Sequence, residues 1–104
     1  MKPRQGQDLY LIQSDRSGSV KVGRSGNAEA RLLELQTGSP HRLRLIAVFD
    51  GKGHLEKSIH RRLERWRLKA DGEWFHPDGL PDLPDWMYER ITLDEQDWWI
   101  TRRG

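Results

Sequence analysis

The sequence predicts a small α+β domain, and three observations carry that assignment. Two segments, residues 8–13 and 19–24, read as strands around the turn-forming run Ser14-Asp15-Arg16-Ser17-Gly18. Two further stretches, residues 28–36 and 54–68, place leucine and isoleucine at helical spacing. Between them lies Leu43–Phe49, a run that reads as a third strand.

The elements follow in order. If Ser14 pairs with Ser19, Tyr10 opposes Gly23 and Ile12 opposes Lys21. Alternation then puts Tyr10, Ile12, Lys21 and Gly23 on one side of the hairpin, and Leu9, Leu11, Val20 and Val22 on the other. Gly23 is expected to leave open space opposite Tyr10, suited to a ligand approaching the sheet. Asn27 is the N-cap of the first helix and Gly38 its stop. Leu32 and Leu35 mark the buried side, and Arg31 borders it. In the second helix Leu55, Ile59, Leu63 and Trp66 form the core stripe, with Glu56 and His60 one step off it. Residues 72–76 read as a short strand. Pro77, Pro81 and Pro84 are expected to break the next segment into loop, so the compact unit should span residues 1–76. Residues 77–104 then form an acidic extension rich in Pro and Trp, with Thr92 and Glu95 able to cap a last short helix through Trp98-Trp99-Ile100.

Composition narrows the function classes. The chain has 104 residues, 35% hydrophobic and 33% charged, enough for one core and a heavily solvated surface. It has no cysteine, which excludes disulfides and thiolate metal sites. No run is long and apolar enough to span a bilayer, and the first residues lack the apolar stretch of a secretory signal. A cytoplasmic location with no membrane partner is the expectation. Charge is strongly segregated. Residues 1–70 hold 15 Lys/Arg against 7 Asp/Glu, while residues 71–104 hold 3 against 9. The front of the chain is cationic enough to seek a polyanion. The acidic end is expected to fold back on that body or dock another copy, competing with the polyanion.

Several side chains suit phosphodiester chemistry. Glu56, bordering a core stripe, is costly unless a cation compensates it, and one carboxylate with water and substrate oxygens suffices for Mg²⁺. Solvated pairing with Lys52 or His60 is the plainer alternative. Arg31 either pairs along its helix with Glu34 or Glu29, or clamps a phosphate with its planar fork. Tyr10 is either a core residue or a phenol activated by Lys21, and Lys21 can itself contact phosphate. Trp66, Trp74 and Trp86 read as packing residues, whereas Trp98 and Trp99 cannot both face one helix stripe and offer a partner surface.

Taken together, Leu9-Tyr10-Leu11-Ile12, Lys21-Val22-Gly23, Arg31 eight residues beyond Gly23, Glu56 opening the second long helix, and Gly72-Glu73-Trp74-Phe75 resemble the GIY-YIG nuclease superfamily. The likeness is to its phage and meiotically up-regulated-type branch, whose second signature carries lysine in place of tyrosine. It covers residues 8–76. The resemblance implies a small three-stranded antiparallel sheet flanked by helices and Mg²⁺- or Mn²⁺-dependent hydrolysis of DNA. It implies that Glu56 holds the metal, Arg31 stabilises the transition-state charge, and Tyr10 orients or deprotonates water. Lys21 occupies the second tyrosine position, and His60 or His41 relays the proton. Arg24, His41, Arg42 and Arg61 are the expected DNA contacts.

The expected function is therefore a small DNA endonuclease, nicking if it acts as a monomer. The alternative is a nucleic-acid-binding or regulatory module of the same fold with little or no turnover. A third reading is self-association or protein recognition through the acidic, Trp-containing end.

Overall fold

A computed structural model describes residues 6–69 and 72–92. β1 (Asp8–Ser14) and β2 (Val20–Ser25) form the hairpin in the expected register, with Tyr10 opposite Gly23 and Ile12 opposite Lys21. Ser14 N–H donates to Ser19 O at 3.0 Å to close it. Gly18 turns the corner at φ +76°, a conformation open to glycine because it has no Cβ. α1 (Ala28–Thr37) begins where Asn27 Oδ1 accepts from Ala30 N–H at 3.0 Å. β3 (Leu43–Phe49) pairs antiparallel with β1, and β4 (Trp74–Phe75) pairs antiparallel with β2.

The sheet order is β3-β1-β2-β4. The three-stranded sheet implied by the resemblance is thus extended by a two-residue edge strand, inside the stretch where the sequence predicts one. β1 lies between β2 and β3 and is buried along all seven residues, which explains why its middle reads as a continuous apolar run.

Each sheet face has its own core. On one, Tyr10 and Ile12 pack with Ala28, Leu32 and Leu35 of α1, with Trp74 beside them. On the other, Leu9, Leu11, Val20 and Val22 pack with Ile59 and Leu63. These last two belong to the second helical region, where α2 spans Glu56–Arg62.

That region departs from the continuous helix expected over residues 54–68. Three-residue 3₁₀ turns, Gly53–Leu55 and Glu64–Trp66, bracket α2. The cause is a distant partner. Trp66 Nε1 donates to Asp82 Oδ2 at 2.8 Å, and Arg65 Nη2 lies 3.4 Å from the same carboxylate oxygen. Gly79 allows this approach, since a Cβ there would sit 2.6 Å from Trp66 Cδ1. These contacts turn the chain after Leu63 and outweigh local helix propensity.

Packing also continues past His76, the expected end of the compact unit. Leu80, Leu83, Met87 and Ile91 are buried in the same cluster as Leu9 and Leu11. The three prolines do not leave a loop. Residues Pro77–Asp82 form a 3₁₀ helix, and Pro84 O accepts from Met87 and Tyr88 at the start of α3 (Asp85–Thr92). A proline at a helix start sacrifices no intrahelical donor. Met87 and Ile91, four apart, point α3's apolar face into the core. Arg90 Nη1 donates to Val48 O at 2.9 Å, tying α3 to the outer strand β3. The helix predicted through Trp98-Trp99-Ile100 lies outside the described residues. Among the described residues, no helix is long and apolar enough to cross a membrane.

Candidate active site

The site grows from the brevity of β4. Its ladder covers β2 only at Val20 and Lys21, so beyond them the outer edge of β2 is open to side chains. Val22 N–H there donates to Glu73 O at 3.1 Å, and Val22 O accepts from His60 Nε2 at 2.8 Å. A carbonyl can only accept, so the Nε2 nitrogen carries the proton and Nδ1 of the neutral ring keeps its lone pair. The His60 ring also packs edge-on against Phe75, with centroids 5.3 Å apart.

Lys21 is buried and forms an ion pair with Glu73. Burial opposes the Glu73 charge, but the Lys21 hydrogen bond and charge outweigh it, with His60 and Arg31 adding to the effect. The carboxyl is therefore held below the usual glutamate range. Glu73 is the residue that site reasoning from sequence missed. Its motif was visible, but nothing local to it points at a lysine 52 positions earlier.

Arg31 is exposed on α1 and donates from Nη1 to Glu34 Oε1 at 2.9 Å, one of its two expected helix partners. Its guanidinium is held charged more firmly than an ordinary arginine, first by Glu34 and then by the neighbouring Tyr10 phenol. Tyr10 is itself buried. Its ring fills the space that Gly23 was expected to leave for a ligand: a Cβ at position 23 would stand 2.5 Å from Tyr10 Cζ. Gly23 thus makes room for the phenol rather than for substrate.

Glu56 comes from the opposite face of the sheet, on α2, the helix carrying Ile59. Its side chain is only 13% exposed, and its cation is Arg24, with Nε 3.7 Å away, instead of Lys52 or His60. Lys21 therefore contacts Glu73 directly, the charges of His60 and Arg31 act on it, and Tyr10 lies beside Arg31, while Glu56 stands one helical turn from His60.

The model of the T5orf172 domain family matches residues 8–97, from the first residue of β1 through all of α3. The chain belongs to the T5orf172 domain family. This family is phage-associated and nuclease-related. Among the curated proteins and the solved structures, nothing matches the chain. The T5orf172 match also crosses residue 76 without a break, in keeping with the shared core.

The remaining expected contacts of this T5orf172 domain are dispersed. Arg24 and Arg61 are exposed near Glu56 and His60, on β2 and α2 respectively. His41 and Arg42 are exposed in the loop between α1 and β3, where Arg42 O accepts from Asp15 N–H at 2.9 Å. That contact places them by the hairpin turn, at the end of β1 remote from Tyr10. Four residue steps along the strand separate Tyr10 from Ser14, about 13 Å. His41 therefore lies apart from Tyr10, while His60 stands at the sheet edge against Val22 O and Phe75.

The donor set limits how a metal would be held. Among the described residues, no group of three His, Asp or Glu side chains converges on one point. A divalent ion with hard oxygen preference and retained waters fits a single carboxylate such as Glu56, and a closed protein cage does not form.

Proposed function

We propose that this T5orf172 domain is a metal-dependent DNA endonuclease, and that the open edge of β2 is its active site. The observation that carries the reading is the buried Lys21 in contact with Glu73 at the sheet edge, where the charges of His60 and Arg31 also act on that carboxylate and Arg31 lies beside the buried Tyr10 phenol. Three cationic or titratable side chains acting on an anion match the needs of a phosphodiester entering cleavage.

In this reading Arg31 exchanges Glu34 for a phosphate oxygen and offsets charge that builds on phosphorus. Tyr10, buried next to that guanidinium, orients the attacking water. His60, with its tautomer set by Val22 O, offers Nδ1 to take the proton. Lys21 adds positive potential from beneath the sheet face. Glu56 is the residue that would hold Mg²⁺ or Mn²⁺, which supplies Lewis-acid stabilisation of the phosphate when bound. The cationic face formed by Arg24, Arg61 and neighbouring basic residues contributes salt-dependent, sequence-independent affinity.

A second reading has its own support. Lys21 is engaged by Glu73, and Glu56 by Arg24. Such internal pairing suits a domain that binds nucleic acid without turnover. Incubation of supercoiled plasmid with Mg²⁺ or Mn²⁺ separates the two. Nicking or linearisation by the wild-type protein, reduced about 10²–10³-fold by Arg31→Ala and abolished by Glu56→Ala, supports the nuclease. DNA binding by all three proteins without cutting supports the binding module.

A further inference from the structure

The sheet face that carries Lys21 continues into a cavity at the far end of the hairpin. The cavity measures about 220 Å³ and is lined by Ser14, Ser19, Leu35, Ser39, Leu43 and Trp74. It is smaller than the roughly 300–1,000 Å³ typical of drug-sized ligand sites. Two leucines and an indole supply apolar walls, and three serines supply hydroxyls. That mixture suits a flat heterocycle with polar edges.

Its position ties it to the candidate active site. Trp74 is the register partner of Lys21, so the two side chains share one face of the sheet. The walls are braced. Asp15 N–H to Arg42 O at 2.9 Å joins the hairpin turn to the loop after α1. Gln36 holds that loop from the other side, donating to His41 O at 2.9 Å and accepting from Leu43 N–H at 2.8 Å. Ser39 Oγ accepts from His41 N–H at 3.2 Å and donates to His41 O at 3.0 Å, fixing one edge of the opening. On the two loops that frame the cavity stand Arg16, His41 and Arg42, all exposed. The frame is therefore cationic and the interior is neutral.

We propose that this cavity takes one unstacked nucleobase of a bound DNA strand, seated against Trp74, while Arg16 and Arg42 hold the flanking phosphates. Charge on the rim and an apolar, hydroxyl-bearing interior are the complement of a nucleotide, which is anionic outside and heterocyclic within. Base stacking on an aromatic side chain is sequence-tolerant, and extrusion is easiest where the base is already unpaired. The proposal rests on the DNA-facing reading of this sheet face and gives it a substrate class: DNA with an unpaired or easily extruded nucleotide about 13 Å along β1 from Tyr10.

The test is a binding measurement without divalent metal, so it does not depend on cleavage. Two fluorescent duplexes are compared, one fully paired and one with a single unpaired 2-aminopurine. The full chain is expected to bind the unpaired probe about tenfold more tightly and to change its 2-aminopurine emission. Trp74→Leu, and separately Ser39→Phe, which fills the cavity from a loop, should erase the difference and leave paired-duplex affinity unchanged. Circular dichroism of each variant confirms folding. Equal affinity of the wild-type chain for both probes overturns the base site and leaves the DNA-facing reading standing. Discrimination retained by either folded variant also overturns it. Failure to bind either duplex at low salt overturns both readings together.

Discussion

Lys21 and Glu73 form an ion pair across 52 positions of sequence, joining a buried ammonium on β2 to a half-exposed carboxylate just before β4. The lysine is the less solvated partner, so it depends on Glu73 for its compensating charge. The charges of His60 and Arg31 also favour the ionised form of that carboxylate. One glutamate thereby serves both the stability of the sheet edge and the electrostatics of the candidate site.

The acid response follows from this pair. In the folded protein the Glu73 carboxyl lies below its reference value of 4.5. Its contribution to stability is complete above that value and disappears as pH falls through the lowered folded value. Glu73→Gln is expected to flatten the dependence of the urea midpoint on pH below about 4.5. At neutral pH the variant should lose about 1–2 kcal/mol, a buried-pair penalty discounted because the carboxylate is half exposed. An unchanged acid limb in the variant would show that Glu73 does not carry this dependence.

Gly23 and Tyr10 make a second sensitive contact. An alanine Cβ would meet the Tyr10 ring, with Cζ at 2.5 Å and Cε1 at 3.0 Å, and the buried ring must shift to admit it. Gly23→Ala should destabilise the domain by about 1–3 kcal/mol. It should also lower any cleavage rate by moving the phenol from Arg31. Chemical denaturation beside a plasmid assay measures both, and wild-type stability would mean the ring relocates freely.

Truncation after residue 76 tests where the folded unit ends. The shortened chain lacks Leu80, Leu83, Met87 and Ile91, all in the core cluster. Each large-to-small loss in a core costs about 2–5 kcal/mol, and typical domain stability is about 5–15 kcal/mol. The truncated chain is expected to show no cooperative thermal transition by circular dichroism. A sharp transition would restore residues 1–76 as a self-standing unit, and with it the idea that the acidic end merely competes with DNA.

Arg24 stands against Glu56 at 3.7 Å, a loose pair in which the arginine is half exposed. If Glu56 holds the metal, Arg24 competes with it. Arg24→Gln should lower the Mg²⁺ concentration for half-maximal cleavage roughly two- to fivefold, the worth of a partly exposed pair. It should also reduce the slope of log affinity against log salt by about 1. A raised metal requirement would instead assign Arg24 to positioning Glu56.

Much of the site's near half is legible in the sequence because it depends on short-range geometry. The pairing of Tyr10 with Gly23 and of Ile12 with Lys21 follows from the turn and from two-residue alternation. The Asn27 cap sets the start of α1, and four-residue spacing puts Arg31 at the border of its buried side. What alternation cannot say is what fills the space beside a glycine. Only side-chain packing shows that Tyr10 fills the space next to Gly23.

The sequence by itself determined the α+β class, the hairpin register, the two apolar faces and the segregation of charge. Each of these comes from periodicity, turn chemistry or composition acting over a few residues. Tertiary structure decided the rest. It shortened α2 because Trp66 bonds to Asp82, and it drew Met87 and Ile91 into the core. It also chose Arg24 as the cation for Glu56 and Glu73 as the anion for Lys21. Those outcomes depend on which surfaces remain unsatisfied once the sheet has formed, and chain-distant partners satisfy them.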